Sequence, residues 1–253
     1  MNIFTDYFAS LERNDIDFPL DALTVYELSN EKIRFGKTND GGYVILDGFS
    51  YGAFISCGIG YEESFERDFA LQYDMSCLAF DGTIDCYPNP NTWTTFTKKN
   101  ISDVNTENTT NLHSTIEHKD NIFLKMDIEG NEYKWIHSLT KDQLQKFKQI
   151  VIEFHFPFDE YRWNCLERLN ETHWLCHFHP NNHAADCIKW EQGNGCRRVG
   201  DVEVPRIFEC TYINKDDVNE TITKNKKTIP AEIDNPNNPK IRDIFLQGYP
   251  YTQ

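Results

Sequence analysis

The sequence predicts an α/β fold: a mostly parallel sheet with helices on both faces and an antiparallel edge strand. Three observations predict it. Short apolar, β-branched runs alternate with segments of helical periodicity, the pattern of strand–helix–strand units. The strand runs are apolar almost without interruption, as expected of strands buried on both faces. The last strands follow one another with no long helix between them, which points to antiparallel pairing. At 253 residues the chain suits one such domain with an extension at each end.

The elements follow in order. Residues 1–33 read as an N-terminal helical extension, with Phe4, Tyr7, Phe8 and Leu11 spaced along one apolar face. The core domain spans 34–213. Asp40-Gly41-Gly42 is a tight turn into a strand over Tyr43 to Leu46. GAFISCGIG is a buried strand ending in a glycine turn, and ESFERDFALQY is a helix with Phe65, Phe69 and Tyr73 on one side. CLAFDGTID is a strand that stops at an acid, and FTKKNIS is a weak third strand. NIFLKMDIEGNEYKWIHSL gives a buried strand, an acidic turn and a helix; QIVIEFHF is a fifth strand. A helix near Tyr161 to Asn170 and strands around 173–178, 186–190 and 205–213 complete the pattern. Residues 214–253, rich in Asn, Lys, Asp and Pro at their start, read as a C-terminal extended surface segment.

The formal net charge is −15, and Lys224 to Lys227 is the one longer basic stretch. Such a field repels phosphate backbones, so nucleic acid is excluded as a partner and a neutral acceptor fits better. No run of about 18 apolar residues exists, which excludes a membrane span. The N-terminus lacks the apolar core of a signal peptide, so the expected location is cytoplasmic. The eight cysteines form no C-x-x-C pair and several sit in apolar runs, which favours reduced thiols over zinc or disulfides. Four N-x-S/T sequons, at Asn100, Asn108, Asn170 and Asn219, are unremarkable in an Asn-rich chain.

Chemistry concentrates at strand ends. In an open parallel sheet, ligands bind beyond the carboxyl ends of the strands, at the point where strand order reverses. Cys57-Gly58-Ile59-Gly60 ends one strand and lets backbone approach a ligand closely. Asp81 lies about 20 residues beyond, at the next strand end, where a carboxylate accepts hydrogen bonds from a ribose diol. Either a nicotinamide dinucleotide or S-adenosylmethionine satisfies that pair. The fingerprint G-x-G-x-x-G is absent, because Gly60 is followed by Tyr61, Glu62 and Glu63. Those acids disfavour a pyrophosphate and favour the sulfonium and ammonium of the methyl donor.

The segment LKMDIEGNE, Leu124 to Glu132, resembles the KxDxEGxE signature of FkbM-type methyltransferases. NDGGYVI, FISCGIG, AFD, VIEFH and VPRIFECTYI resemble further segments of that family in order, over roughly residues 34–213. The resemblance implies a class I Rossmann-like methyltransferase fold and methyl transfer to a hydroxyl, as in a sugar or glycan. It implies Gly58, Gly60 and Asp81 at the cofactor, with Asp127 beside its methionine end; the expected cofactor site also takes in Asp40, Gly41, Cys57 and Gly82. Ser56 stands where the family often has an acid, which leaves the amino-group contact to Asp40 or Asp127. Composition and strand order also resemble methyltransferase domains that large DNA viruses carry within larger glycan-building proteins; that origin implies the host cytoplasm.

For the proton of the acceptor hydroxyl, His155 is the expected base, with Asp127 the close alternative and Glu129 beside it. His155 as a hydrogen-bonded core residue and Asp127 or Glu129 as helix caps are the plainer readings. Asp127, Glu129 and Glu153 also offer oxygen ligands to magnesium or manganese, an option not adopted. In HFHPNNHAADC, zinc ligation by His177, His179 and His183 is unconvincing, and His179, Asn181 and Asn182 are expected to contact the acceptor. Trp163, Trp174 and Trp190 offer faces for a sugar ring, although core packing suits each better. Competing readings are methylation of another small molecule, a catalytically silent Rossmann-like binding module, and a nicotinamide dehydrogenase.

Overall fold

The computed structural model describes residues 18–183 and 195–253. The apolar stripe of Phe4 to Leu11, the strand expected at 186–190, and Trp190 lie outside them. A 3-10 turn, Leu20–Leu23, opens the described chain, followed by β1 (Tyr26–Glu27) and the hairpin β2 (Lys32–Gly36) and β3 (Gly42–Leu46). The helical reading of 18–33 is therefore corrected to a single turn and short strands. Then come β4 (Ala53–Cys57), α1 (Ser64–Tyr73), β5 (Cys77–Phe80), β6 (Thr94–Thr97), β7 (Asn100–Ile101), β8 (Thr109–Thr110) and α2 (His113–Ile116). The second half holds β9 (Ile122–Met126), α3 (Glu132–Ser138), α4 (Lys141–Leu144), β10 (Phe147–His155), α5 (Glu160–Thr172) and β11 (His173–Pro180). It closes with β12 (Cys196–Val199), β13 (Val202–Pro205), β14 (Ile207–Asn214) and β15 (Thr223–Lys224).

Seven strands form the central sheet in the order β11-β14-β10-β9-β4-β5-β6. All pairs are parallel except those of β14, which runs antiparallel to both β10 and β11. This is a mostly parallel, Rossmann-like sheet, and its antiparallel strand stands one in from the edge. β9 and β4 are fully buried along their length, as continuous apolar runs require. FTKKNIS divides: Phe96 and Thr97 end the edge strand β6, whereas Asn100–Ile101 pairs with Thr109–Thr110 in a separate ladder.

Helix α1 buries Phe65 and Phe69 against Phe54 and Phe123 of β4 and β9, with ring centroids of Phe69 and Phe123 4.1 Å apart. The helix stops where Asp74 adopts a left-handed φ of 50°. The β2–β3 hairpin lies over the other half of the same face. Gln149 of β10 is fully buried and hydrogen-bonds both Leu46 N and Leu46 O, while Thr211 of β14 donates to Val44 O. A buried amide there is tolerable because its polar atoms are paired. The segment after residue 213 is irregular, as expected, but it is no free tail: Ile229, Ile244, Leu246 and Tyr251 join the main core. No helix among the described residues is long and apolar enough to cross a membrane.

Candidate active site

The chain runs outward through β4, β5 and β6, then returns to place β9 beside β4. That reversal opens a crevice beyond the carboxyl ends of β4 and β9. A cavity of about 500 Å³ fills it, lined by Gly58, Gly60, Asp81, Lys125, Asp127 and Glu129 among others. A larger hollow of about 680 Å³ lies between residues 25–32 and 225–233 and includes His177. It contains neither the glycine turn nor the strand-end acids, so the crevice is the chemically equipped site.

The glycines are explained by contact. Gly58 has a φ of +78°, and a Cβ there would stand 1.6 Å from the Asp127 carbonyl oxygen. Only glycine lets the ends of β4 and β9 approach so closely. Gly60, at φ +56°, faces open space, with nothing within 4 Å of a Cβ. Asp81 ties this loop to β5. Its Oδ2 accepts from Ile59 N at 2.9 Å and Gly60 N at 2.8 Å, and its Oδ1 accepts from both Thr83 N and Thr83 Oγ1 at 2.6 Å. Burial alone raises this carboxyl, but the Thr83 hydroxyl and the amides of Gly60, Thr83 and Ile59 outweigh it and hold it below its usual range.

Ser56 occupies the position where an acid was expected, and its neighbour restores one. Ser56 Oγ donates to Glu66 Oε1 at 2.5 Å, across from α1. Glu66 is 1% exposed and lines the cavity, and its Oε2 is buried with no hydrogen-bond partner. Lys125 Nζ donates to Gly58 O at 2.6 Å, fixing the loop from the β9 side.

The other end of the crevice is built from carboxylates around one imidazole. Tyr43 OH donates to Asp127 Oδ2 at 3.0 Å, while Asp127 Oδ1 is buried without a partner. His155 is 3% exposed; its Nδ1 meets Glu132 Oε1 at 2.9 Å and its Nε2 meets Glu153 Oε1 at 3.1 Å. Glu129 Oε2 lies 3.5 Å and Asp127 Oδ1 4.0 Å from the same Nε2. Burial alone would lower the imidazole, but the charge and hydrogen bond of Glu132, followed by those of Glu153, raise it well above its usual value. Each ring nitrogen thus faces a carboxylate oxygen. Burial, and then the charge of Asp127, raise Glu153 in turn.

The row continues across the sheet. Glu153 of β10 pairs in register with Glu209 of β14, which pairs with His179 of β11. Burial alone would lower His179, but Glu209, 3.1 Å away, outweighs it and pushes the ring up to about 9.

Of the candidate site residues, Asp40, Gly41, Gly58, Gly60, Asp81, Asp127 and Glu129 line the cavity, with His155 standing behind them. Cys57 does not: it is fully buried in the core and uses only its carbonyl, which accepts from Asp127 N. Gly82 is glycine because Asn100 packs where a Cβ would stand, at 2.4 Å. His179, Asn181 and Asn182 do not reach the cavity; all are buried and engaged within the protein. Asn181 Nδ2 donates to Glu153 Oε2 at 3.1 Å, and Asn182 holds the C-terminal segment through Asn238 and Ile241. Trp163 packs in the core, and Trp174 stacks edge-on with Tyr26. Sequence reasoning missed Tyr43, Glu66, Lys125 and Glu132. Lys125 and Glu132 had a visible signal, as the first and last positions of the KxDxEGxE segment, and Lys125 also lies two residues before Asp127 on the same strand face.

Residues 82–185 match the family model described as Methyltransferase FkbM domain. The match begins directly after Asp81 and includes the strands that carry Asp127, Glu153 and His155. No curated protein and no solved structure matches the chain.

Proposed function

We propose that this chain, which carries an FkbM-type methyltransferase domain on a Rossmann-like sheet, transfers a methyl group from S-adenosylmethionine to a hydroxyl of a sugar or glycan. The observation that carries the reading is one cavity joining a glycine turn to a cluster of strand-end carboxylates. The lining fits the methyl donor: it is acidic, and the donor is cationic. Glu66 offers a buried oxygen with no partner, and Gly60 leaves open space beside the loop. Glu66 thereby takes the place of the acid missing at Ser56, and Asp81 faces the ribose through the edge of a carboxylate already set by the loop. When bound, the donor supplies an electrophilic methyl group on a positively charged sulfur.

The protein's share of the chemistry is alignment and proton removal. The acceptor oxygen attacks the methyl carbon in line, the carbon–sulfur bond breaks with its electron pair going to sulfur, and the hydroxyl proton leaves to a base. Asp127 Oδ1 fits that role: it borders the cavity and has no competing donor. His155, the first expectation for the base, is clamped between Glu132 and Glu153, so its task is to orient the cluster. At the mouth, Tyr61 is 89% exposed, with Lys37, Asn100 and Asn131 around the cavity. One aromatic face among polar groups suits a sugar ring.

Calorimetric titration with S-adenosylmethionine and with NAD tests the cofactor, the expectation being that only the first binds. Absence of binding by the methyl donor would sink the reading. Mass spectrometry of a glycan panel incubated with labelled donor then tests the acceptor. Label on amines but on no hydroxyl would refute O-methylation.

A further inference from the structure

We propose that Asp127, Glu153 and His155 form a binding site for a divalent cation of the Mn²⁺ type, placed to hold the acceptor hydroxyl. One donor atom from each residue converges, all within 4.8 Å of one another. His155 Nε2 lies 3.1 Å from Glu153 Oε1 and 4.0 Å from Asp127 Oδ1. Both distances from Nε2 lie within the span of two bonds of about 2.0–2.2 Å to one ion.

The arrangement behind these atoms is what a bare group of acids lacks. Each residue is anchored through its opposite atom by a group outside the set. Tyr43 OH holds Asp127 Oδ2 at 3.0 Å, Asn181 Nδ2 holds Glu153 Oε2 at 3.1 Å, and Glu132 holds His155 Nδ1 at 2.9 Å. Glu132 is fully buried. A carboxylate behind a ligating histidine, and hydrogen bonds behind ligating carboxylates, are how proteins orient metal ligands. Independently, Asp127 Oδ1 is a buried oxygen with no partner among the described residues. It faces the same point and would gain one.

Charge and donor type select the ion. Asp127, Glu129, Glu132 and Glu153 surround a single imidazole, so a dication reduces an uncompensated surplus of negative charge. One nitrogen and two oxygens suit Mn²⁺ or a neighbouring transition ion better than Ca²⁺, which takes six to eight oxygens. Of the three ligands Asp127 lines the cavity, as does Glu129, whose Oε2 stands 3.5 Å from His155 Nε2. With a cation bound, Asp127 Oδ1 would serve as a ligand, the cation would make a bound acceptor hydroxyl more acidic, and its proton would pass to Glu129, which also lines the cavity.

The role in catalysis rests on the methyltransferase reading; binding of the ion does not. The test is titration of the chelator-treated full chain with Mn²⁺, following loss of the free-ion electron paramagnetic resonance signal. One bound ion per chain is expected. Asp127→Asn and Glu153→Gln should weaken binding by more than about tenfold, and Asn181→Ala, which removes an outer partner, by about 10–100-fold. Glu209→Gln, a neighbouring acid outside the set, should leave binding unchanged. Circular dichroism confirms that each variant is folded, and the Asn181 variant keeps the test decisive if a ligand variant is not. No binding, or equal weakening by Glu209→Gln, overturns the proposal. Binding of S-adenosylmethionine, measured on the same metal-free chain, separates the two readings: donor bound without Mn²⁺ leaves the methyltransferase standing and removes the metal. Mn²⁺ bound without donor does the reverse.

Discussion

Asp81 and Asp127 are both aspartates at the ends of parallel strands, in the same crevice, and they are built for opposite ends. Asp81 accepts four hydrogen bonds, three from backbone amides and one from a hydroxyl. No cation is needed to hold its charge, because oriented N–H dipoles do so. Asp127 has one donor, Tyr43, and an oxygen with none, among neighbours that are mostly carboxylates. The satisfied aspartate fixes the shape of the loop. The unsatisfied one is the candidate for chemistry, because a buried polar atom without a partner is costly to retain.

The comparison can be broken in three places. The largest effect is expected at the seam joining the two aspartates. Gly58→Ala forces a Cβ to 1.6 Å from the Asp127 carbonyl, so little folded protein should be recovered. Gly60→Ala meets nothing and should cost only about 1–2 kcal/mol of left-handed strain. Thermal melts compare them, and equal melting temperatures would show that the strand ends are not in contact as described.

Next comes the unsatisfied partner. Asp127→Asn keeps the shape and should lower turnover by about 10²–10⁴-fold, with donor affinity changed far less. Single-turnover kinetics beside calorimetry reads both. Unchanged turnover would deny Asp127 any part in the reaction.

The smallest effect belongs to the satisfied partner. Asp81→Asn replaces one acceptor oxygen by a donor facing backbone N–H groups, for a loss of about 1–3 kcal/mol in stability and weaker donor binding. The sign with pH follows from a folded carboxyl held below its unfolded value. Its contribution is present above about pH 4 and lost as the pH falls through the folded value. Melts in acid should therefore show wild type and Asp81→Asn converging. A gap that persists at the lowest pH would mean that Asp81 stabilises by shape rather than charge.

Much of the fold was legible because burial on both faces leaves an unbroken apolar run, and such runs mark β4, β5, β9 and β10 directly. The glycine turn and both aspartates were legible because a parallel sheet puts its chemistry at strand ends. The outer parts were harder. Short strand β1 owes its pairing to a partner far along the chain, β6 and β7 are too short to show a period, and the core residues of the C-terminal segment, Ile229 to Tyr251, sit in an irregular stretch with no period to reveal them. His179, Asn181 and Asn182 looked like acceptor contacts because they are polar and close together. Their partners, Glu209, Glu153 and Asn238, come from elsewhere in the chain and seal them inside.

The sequence by itself determined which runs form the buried strands and where the glycine turn and the two strand-end aspartates fall. These follow from periodicity and spacing, which are local properties of the chain. Tertiary structure alone decided what each acid does. It set Glu66 behind Ser56, clamped His155 between Glu132 and Glu153, and aligned Glu153, Glu209 and His179 across three strands. The protonation and reactivity of a carboxylate depend on the charges and donors within a few ångströms of it, and at this site most of those neighbours come from other strands and helices.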